Sequence, residues 1–524
     1  MDSVFLASSW KPSKNIRFFR GWAFSEEALI VGQKGFDKYI EGNTYSKLRM
    51  LEGRYLLCFE NDCKLSVNTD FFGSEPIFWF SDGLNWAVSN SFYKLQKLLE
   101  EKSVPLTIDD DVLSNFEIPH SSCQQLIGTR TLFKEIKLCP QGYNIEVLIE
   151  EGWVSLVSKE NSLSTLDGSY EELLLQGLEQ AVLVTKEILK NYEENISADI
   201  TGGIDSRLVL AILLNATNGN LKFINFNSNV NEKRDYYIAS KLAEKYNFKI
   251  TNEKSDVIKV SSHQRYEVWR NHNLGVYLPI YEPEFGKDIW FHFHGGGGEL
   301  FRQFYSNSPL VTAKVLSRKH GNGKAKSLVS VLQDFCNDNN LDPSSVDSMY
   351  DFYLKNRSRL HFGRGIFTSF RMNVVQPLLN KYLIAAASKL TNYEVESNKM
   401  IFDMFKILEP TLLDVEFDSE DKFSKIYERQ KEYKPLEENK VFQKSLEFYA
   451  PAVNLIQYPV EQPLDEHMSS SFDDCLIRDL VSNLGDRRST APNHEAIEEL
   501  LRNKNKIEKG YLVTKIFYNK DGSS

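Results

Sequence analysis

The spacing of apolar positions changes character partway along the chain. Up to about Ile149 apolar residues come in short runs, Arg54 to Phe59, Leu65 to Asn68, Pro76 to Phe80 and Trp86 to Ser89, punctuated by Gly73, Gly83 and Gly142. Short runs divided by turn residues read as antiparallel strands, so this part is expected to be mostly β. From Tyr170 to Tyr192 the spacing becomes three and four, through Leu174, Leu178, Val182 and Ile188, which predicts an amphipathic helix. The following stretches read as strand Ile196 to Ile200, helix Arg207 to Asn215, strand Leu221 to Phe226, helix Glu232 to Tyr246 and strand Phe248 to Ile250. Parallel strands need crossover helices, so this alternation implies a parallel sheet, with ligands at the carboxyl ends of its strands.

Beyond about Tyr350 the pattern is mainly helical, with Met400 to Leu408 spaced as a core helix. The tail from about Leu484 is polar, with a helix at His494 to Arg502 and a strand-like run at Tyr511 to Phe517. No repeat of fixed period is present. At about 150 residues per domain, the length of 524 residues corresponds to roughly three units. The divisions expected are 1–155, 165–430 and a helical extension at 431–524.

Composition narrows the classes. With 42% hydrophobic and 26% charged residues the chain is neither collagen-like nor disordered. A net charge of −10 with no basic stripe argues against duplex nucleic acid as a partner. The longest apolar stretch, Leu208 to Leu214, is far below the roughly 18 residues of a bilayer span, and Met1-Asp2-Ser3 carries no basic segment. A cytoplasmic protein without a membrane span is the expectation. Cys58, Cys63, Cys123, Cys139, Cys336 and Cys475 form no C-x-x-C pair and read as reduced, mostly buried thiols.

The chemistry concentrates in Thr201-Gly202-Gly203-Ile204-Asp205-Ser206, between a predicted strand and a predicted helix. Glycines let backbone N–H groups approach an anion, and the helix that follows offers its positive end, so the turn is a phosphate nest. Thr201 and Ser206 add hydroxyl donors. Asp205 repels a bare phosphate, and its presence in the nest points to a bridging Mg²⁺. The plainer alternative is a tight turn in which Asp205 caps the helix.

These residues resemble the S-G-G-x-D-S loop of the asparagine synthetase family, with Thr201 in place of the first Ser. Phe223 to Asn227, with Arg234-Asp235-Tyr236, is similar to that family's second strand and helix. His294-Gly295-Gly296-Gly297-Gly298-Glu299-Leu300-Phe301 resembles its G-x-G-x-D-E-L-F loop, Val374 to Asn380 its R-x-P-F-L-D turn, and Ile407 to Pro410 its later L-P signal. Leu51 to Tyr55, Asp70 to Phe78 and Thr131 to Ile136 resemble the N-terminal glutaminase-like part, in order. The resemblance implies an α/β chain: an antiparallel, Ntn-hydrolase-like α+β unit followed by a parallel-sheet ATP-pyrophosphatase unit with a helical C-terminal part.

It also implies an activity. Members bind ATP and Mg²⁺, activate a substrate carboxylate as an acyl adenylate with loss of pyrophosphate, and let a nucleophile attack it. Carried over, Thr201, Gly202, Gly203, Asp205, Ser206, Phe226, Gly295 and Gly296 contact nucleotide, Asp205 and Glu299 hold the metal, and Asp205 and Lys422 are catalytic. Glutamine-dependent members start with a nucleophilic cysteine; Met1-Asp2-Ser3 lacks one, so the glutaminase-like part is expected to be inactive, with Ser3 as a remote substitute. The expected product is an amide, lactam or ester formed without glutamine hydrolysis, as in β-lactam synthetase and the lasso-peptide cyclases. A peptide or natural product such as a bacteriocin is the expected substrate, with a modification enzyme as possible partner. The alternatives are a sugar acid of surface-polysaccharide synthesis, a silent substrate-binding subunit of a transferase complex, and sulfur transfer to tRNA, which no cysteine pair supports.

Several positions depart from the family pattern. Its second metal-binding Asp falls on Gly298, leaving Glu299, whose plainer role is a helix-capping acid. The Glu before the R-x-P-F-L-D turn falls on Asn373, and the lysine motif has only Asp421-Lys422-Phe423, with Lys425 behind it, as counterpart. His292 and His294 share a strand face at a spacing that can hold a metal, but no acid or cysteine is expected beside them. Asp109-Asp110-Asp111 reads as a solvated helix start.

Overall fold

The computed structural model describes residues 4–518 apart from 12–15, 62, 119, 160–162, 164–165, 254–255, 303–304, 321, 362–369, 420–422, 424–443, 451–470, 486–493 and 503. The fold is mixed α/β, with an antiparallel-rich region, a parallel sheet and many helices.

The first part folds as expected. β1 (Leu6–Ser8), β2 (Arg17–Phe24), β3 (Ala28–Val31), β4 (Glu52–Asn61), β5 (Lys64–Thr69), β6 (Phe78–Ser81), β7 (Trp86–Ser89), β8 (Lys137–Leu138), β9 (Tyr143–Leu148) and β10 (Trp153–Ser158) form two sheets. One runs β1-β7-β6-β8, the other β10-β9-β5-β4-β2-β3-β15. Leu56, Cys58, Leu65, Val67, Ile145 and Val147 of the larger sheet share a dry core with Ile77, Trp86 and Val88 beside the smaller. The seventh strand comes from far along the chain: β15 (Glu447–Tyr449) pairs parallel with β3.

The parallel sheet is built from β11 (Ile196–Asp199), β12 (Asn225–Asn227), β13 (Phe291–Phe293) and β14 (Asn373–Val375), in the order β12-β11-β13-β14. Each pairing is parallel. The helix Tyr170–Asn191 starts in a capping box, Ser169 accepting from the Glu172 N–H while Glu172 reaches back to the Ser169 N–H, an arrangement that contributes about 1 kcal/mol. The helix Ile204–Ala216 is apolar nearly all round and buried, as a helix covered on both sides must be. Phe248 to Ile250 forms only a bridge, Phe226 to Ile250, where a third strand was expected.

Two further expectations change. Tyr511 to Phe517 is not a strand but lies in the helix Lys506–Tyr518. Gly510, Val513, Thr514, Phe517 and Tyr518 are its buried positions, a helical stripe that a short apolar run conceals. Asn505 starts it, accepting from the Ile507 and Glu508 N–H groups. Asp109 is not solvated: it caps the helix Asp110–Phe116, is buried, and pairs with Arg130 at 2.6 Å. Met400 to Leu408 is core, within the helix Lys399–Leu408. Among the described residues no helix is long and apolar enough to cross a membrane.

The β-rich part docks on the β14 side of the parallel sheet. Trp22 Nε1 donates to Val374 O at 3.2 Å, and Lys381 pairs with Glu52 at 2.6 Å. A cavity of about 60 Å³ lies at this junction, between Trp22, Phe71 and Phe72 on one side and Val374, Gln376 and Pro377 on the other.

Candidate functional site

Strand order locates the site. From β11 the chain passes to β12 on one side, then returns across β11 to β13 and β14 on the other. Such a reversal opens a crevice at the carboxyl ends of the two strands flanking it, here β11 and β13. The turn after β11 carries Thr201 to Ser206, and the turn after β13 carries His294 to Gly298.

The first turn is held by its own side chains. Ser206 Oγ accepts from the Thr201 N–H at 3.1 Å and lies 2.9 Å from Thr201 Oγ1, which accepts from the Gly203 N–H at 3.1 Å. Gly202 donates its N–H to Asp235 Oδ1 at 3.3 Å. A Cβ on Gly202 would stand 2.8 Å from both Asp235 Oδ1 and Ile238 Cδ1, so these side chains would have to shift to admit one. The sequence predicts the hydroxyl and glycine chemistry of this turn; Asp235 enters from the helix Lys233–Lys245.

The second turn packs directly on Asp205. A Cβ on Gly295 would meet the Asp205 carbonyl carbon at 2.8 Å, and one on Gly298 would meet Asp205 Oδ1 at 2.0 Å. The Gly296 N–H donates to His294 Nδ1 at 3.0 Å, and Gly297 takes the left-handed conformation with φ of 111°. Arg302, just after this turn, donates to Asp205 Oδ2 at 2.9 Å. An aspartate at position 298 would thus press a second carboxylate onto the first, and this chain instead brings a guanidinium. Glu299 accepts from the Gly297 N–H at 3.1 Å.

The segment 412–418 straps the first turn down through a residue the sequence reading left without a role. Arg207 is buried and donates to Leu412 O at 3.2 Å, Val415 O at 2.6 Å and Glu416 O at 2.6 Å, while its guanidinium stacks 3.7 Å over Phe417. Burial pushes its pKa down to about 10, against the opposing pull of Asp418, Tyr246 and Glu416. The strap ends with the Asp418 N–H on Gly202 O at 3.1 Å.

Phe226 is fully buried with its ring 4.2 Å from Phe248. Lys422 and Lys425 lie outside the described residues; Phe423 between them is buried against Phe402, Phe405 and Phe417. His292 does have an acid beside it: its Nε2 is 3.2 Å from Asp199 Oδ2 and its Nδ1 2.9 Å from Ser197 Oγ. Burial works to raise the Asp199 pKa, but the hydrogen bond and charge of His292, with His294, outweigh it and hold the carboxyl below its ordinary range. Asp199 escaped the sequence reading because it sits on the neighbouring strand, two residues beyond Ser197, the register partner of His292. Among the described residues no cluster of three or more His, Cys, Asp and Glu stands at metal-ligand spacing.

No protein-family model matches the chain, and no curated protein matches it at a significant level.

Proposed function

We propose that this chain is an ATP- and Mg²⁺-dependent synthetase that adenylates a substrate carboxylate, releases pyrophosphate, and passes the acyl group to a nucleophile as an amide, lactam or ester without hydrolysing glutamine. In this reading the first part is a glutaminase-like, Ntn-type unit, and the parallel sheet is that of an ATP-pyrophosphatase. One observation carries the proposal: two glycine-bearing turns, from the strands that flank the reversal in strand order, close on one carboxylate, Asp205. This is the place where open parallel sheets bind nucleotides.

The donor set fits a Mg²⁺–polyphosphate group. Thr201 and Ser206 offer hydroxyls, Gly202 and Gly203 offer N–H groups now turned to Asp235 and Thr201, and Asp205 with Glu299 offers hard oxygen. When bound, Mg²⁺ supplies neutralisation of phosphate charge. Asp205 would hold it, with Glu299 on the facing turn as the second acid that the resemblance implies, while Arg302 adds fixed positive charge. The remaining acids around the turn, Asp235 and Asp418, disfavour an anion that arrives without cations. A carboxylate-bearing peptide or natural product, such as a bacteriocin precursor, is the substrate class we favour.

Titration of the chain with α,β-methylene ATP and Mg²⁺, beside Asp205→Ala, tests this reading. Binding that Asp205→Ala abolishes is expected, and with ATP itself in place of the analogue, pyrophosphate release in the presence of a carboxylate substrate. ADP and phosphate as products would overturn it. A second reading, a silent substrate-binding subunit, draws support from Arg302 occupying Asp205; it expects no nucleotide binding by the unmodified chain.

A further inference from the structure

The second glycine turn and the residue after it meet the Asp205 carboxylate on both of its oxygens. Oδ1 is buried against Gly298, where a Cβ would stand 2.0 Å away, and Oδ2 accepts from Arg302 Nη2 at 2.9 Å. A cation that reaches this carboxylate from the crevice therefore meets Oδ2, the oxygen that the guanidinium already holds. The carboxylate itself stays charged, because it stands in the first turn of the helix Ile204–Ala216, at the positive end. Arg302 is placed so that it can let go. It follows the 3-10 turn Gly298–Phe301 in extended backbone, its side chain is 23% exposed, and among the described residues Asp205 is the carboxylate it pairs with. A partly exposed pair of this kind is weak.

The two cations that can occupy Oδ2 differ in what they bring. A guanidinium offers a planar fork of hydrogen bonds, whereas Mg²⁺ takes one or two carboxylate oxygens and completes its shell with water and phosphate. Both on one oxygen would set like charges side by side, so a Mg²⁺ bound at Oδ2 expels the guanidinium. The anion then closest to hand is a phosphate lying in the turn Thr201 to Ser206, which contains Asp205, and a guanidinium binds phosphate through two parallel hydrogen bonds. We propose that Arg302 is an exchange residue: it holds Asp205 in the absence of ligand, yields Oδ2 to Mg²⁺, and passes to the phosphate that arrives with the ion. The exchange rests on the nucleotide reading of this turn and adds a selectivity to it. Free Mg²⁺ has to break the Arg302 pair with no anion to receive the guanidinium, and free nucleotide meets an arginine still bound to Asp205. The Mg²⁺–nucleotide complex alone satisfies both groups.

Two titrations of the full chain test this. Mn²⁺, standing in for Mg²⁺, is titrated without nucleotide and read by the electron spin resonance of the free ion; α,β-methylene ATP in excess Mg²⁺ is titrated by calorimetry. Arg302→Gln is expected to bind free Mn²⁺ about fivefold more tightly than the parent, the worth of one partly exposed ion pair. It is expected to bind the Mg²⁺–analogue complex about tenfold more weakly, the loss of one charge-assisted contact with phosphate. Misfolding cannot produce the gain, so the first shift is read even where the variant is less stable. In the double variant Arg302→Gln with Asp205→Asn the Mn²⁺ gain is expected to vanish, and its persistence would place the ion elsewhere and overturn the exchange. Arg302→Lys, which keeps the charge without the fork, is expected to leave Mn²⁺ affinity near that of the parent. Equal or weaker Mn²⁺ binding by Arg302→Gln overturns the competition at Oδ2. Equal or tighter nucleotide binding by Arg302→Gln overturns the passage to phosphate and makes Arg302 a plain block. In either case a parent chain that binds the analogue keeps the synthetase reading; binding by neither chain counts against that reading, and the exchange falls with it.

Discussion

Gly295 and Gly298 both face Asp205, but they meet different parts of it, and that difference is measurable. A Cβ at Gly295 would lie 2.8 Å from the Asp205 carbonyl carbon and 2.9 Å from the Ser206 nitrogen, both in the first turn of the helix Ile204–Ala216. Backbone cannot rotate aside, so Gly295→Ala must push the turn off the helix, at about 2 kcal/mol for an overpacked site. A Cβ at Gly298 would lie 2.0 Å from Oδ1 and 2.6 Å from Cγ of Asp205, yet 3.4 Å from its Cβ. There the carboxylate can swing away, giving up Arg302 at 2.9 Å, a partly exposed pair worth about 1 kcal/mol. Neither glycine has positive φ, so alanine brings no backbone strain at either place. Removing the carboxylate separates the two. In an Asp205→Ala background Gly298→Ala is expected to cost almost nothing, a coupling of about 1 kcal/mol, whereas Gly295→Ala keeps its full cost, because the atoms it meets remain. Hydrogen exchange of the amides across 204–216 reads these local opening energies directly. Equal coupling of both glycines to Asp205→Ala, or coupling of neither, would refute the packing described.

Arg207→Met removes the donor to Val415 O and Glu416 O and the stack on Phe417, and is expected to cost about 3 kcal/mol; exchange should rise first in 412–418, and unchanged protection there would contradict the strap. Gly510→Ala places a Cβ 1.7 Å from Leu278 O, so about 2 kcal/mol or more of docking energy is lost, and limited proteolysis should cut earliest within 506–518. Asp199, whose pKa is held below the ordinary carboxylate range, contributes stability that is full above that range and fades as pH falls through the lowered value. Asp199→Asn is therefore expected to be less stable than the parent near neutrality, by under about 1 kcal/mol for this part-exposed pair, and to converge with it only as pH falls through the lowered value, a convergence that thermal melts across pH would detect.

What the sequence made legible was local. The switch from alternating to helical spacing near Tyr170, the limits of the helix His494–Arg502 and the glycine-rich turn at 201–206 depend on neighbours in the chain, and the structure places them as expected. The run Tyr511 to Phe517 was misread because seven residues with Val, Ile and aromatic side chains satisfy either period. What decides it is the Asn505 cap and the fit of Gly510 against Leu278, and the second is invisible without the partner. The same holds for β15, whose three residues become a strand only because β3 offers an open edge. Around the site, Arg302, Asp418 and the Asp199–His292 pair went unread for one reason: each meets its partner across a large gap in the chain, and no spacing rule links them.

Strand order was likewise beyond a single sequence, since a β-α-β-α-β pattern fixes that strands are parallel but not on which side each is added. Yet the reversal at β11 bears on how the glycines are to be understood. Asp235, Ile238 and Asp418 close over Gly202, Gly295 meets the backbone of Asp205 and Ser206, and Gly298 meets the Asp205 carboxylate. Had β13 been added beyond β12, the turn after it would not face the first turn of the helix Ile204–Ala216, and nothing would require small residues at 295 and 298. The two glycine signatures, far apart in the chain, are thus two halves of one contact. The close approach at Gly295 brings the turns of two strands together at Asp205, and the proposed nucleotide site rests on that contact more than on either motif alone.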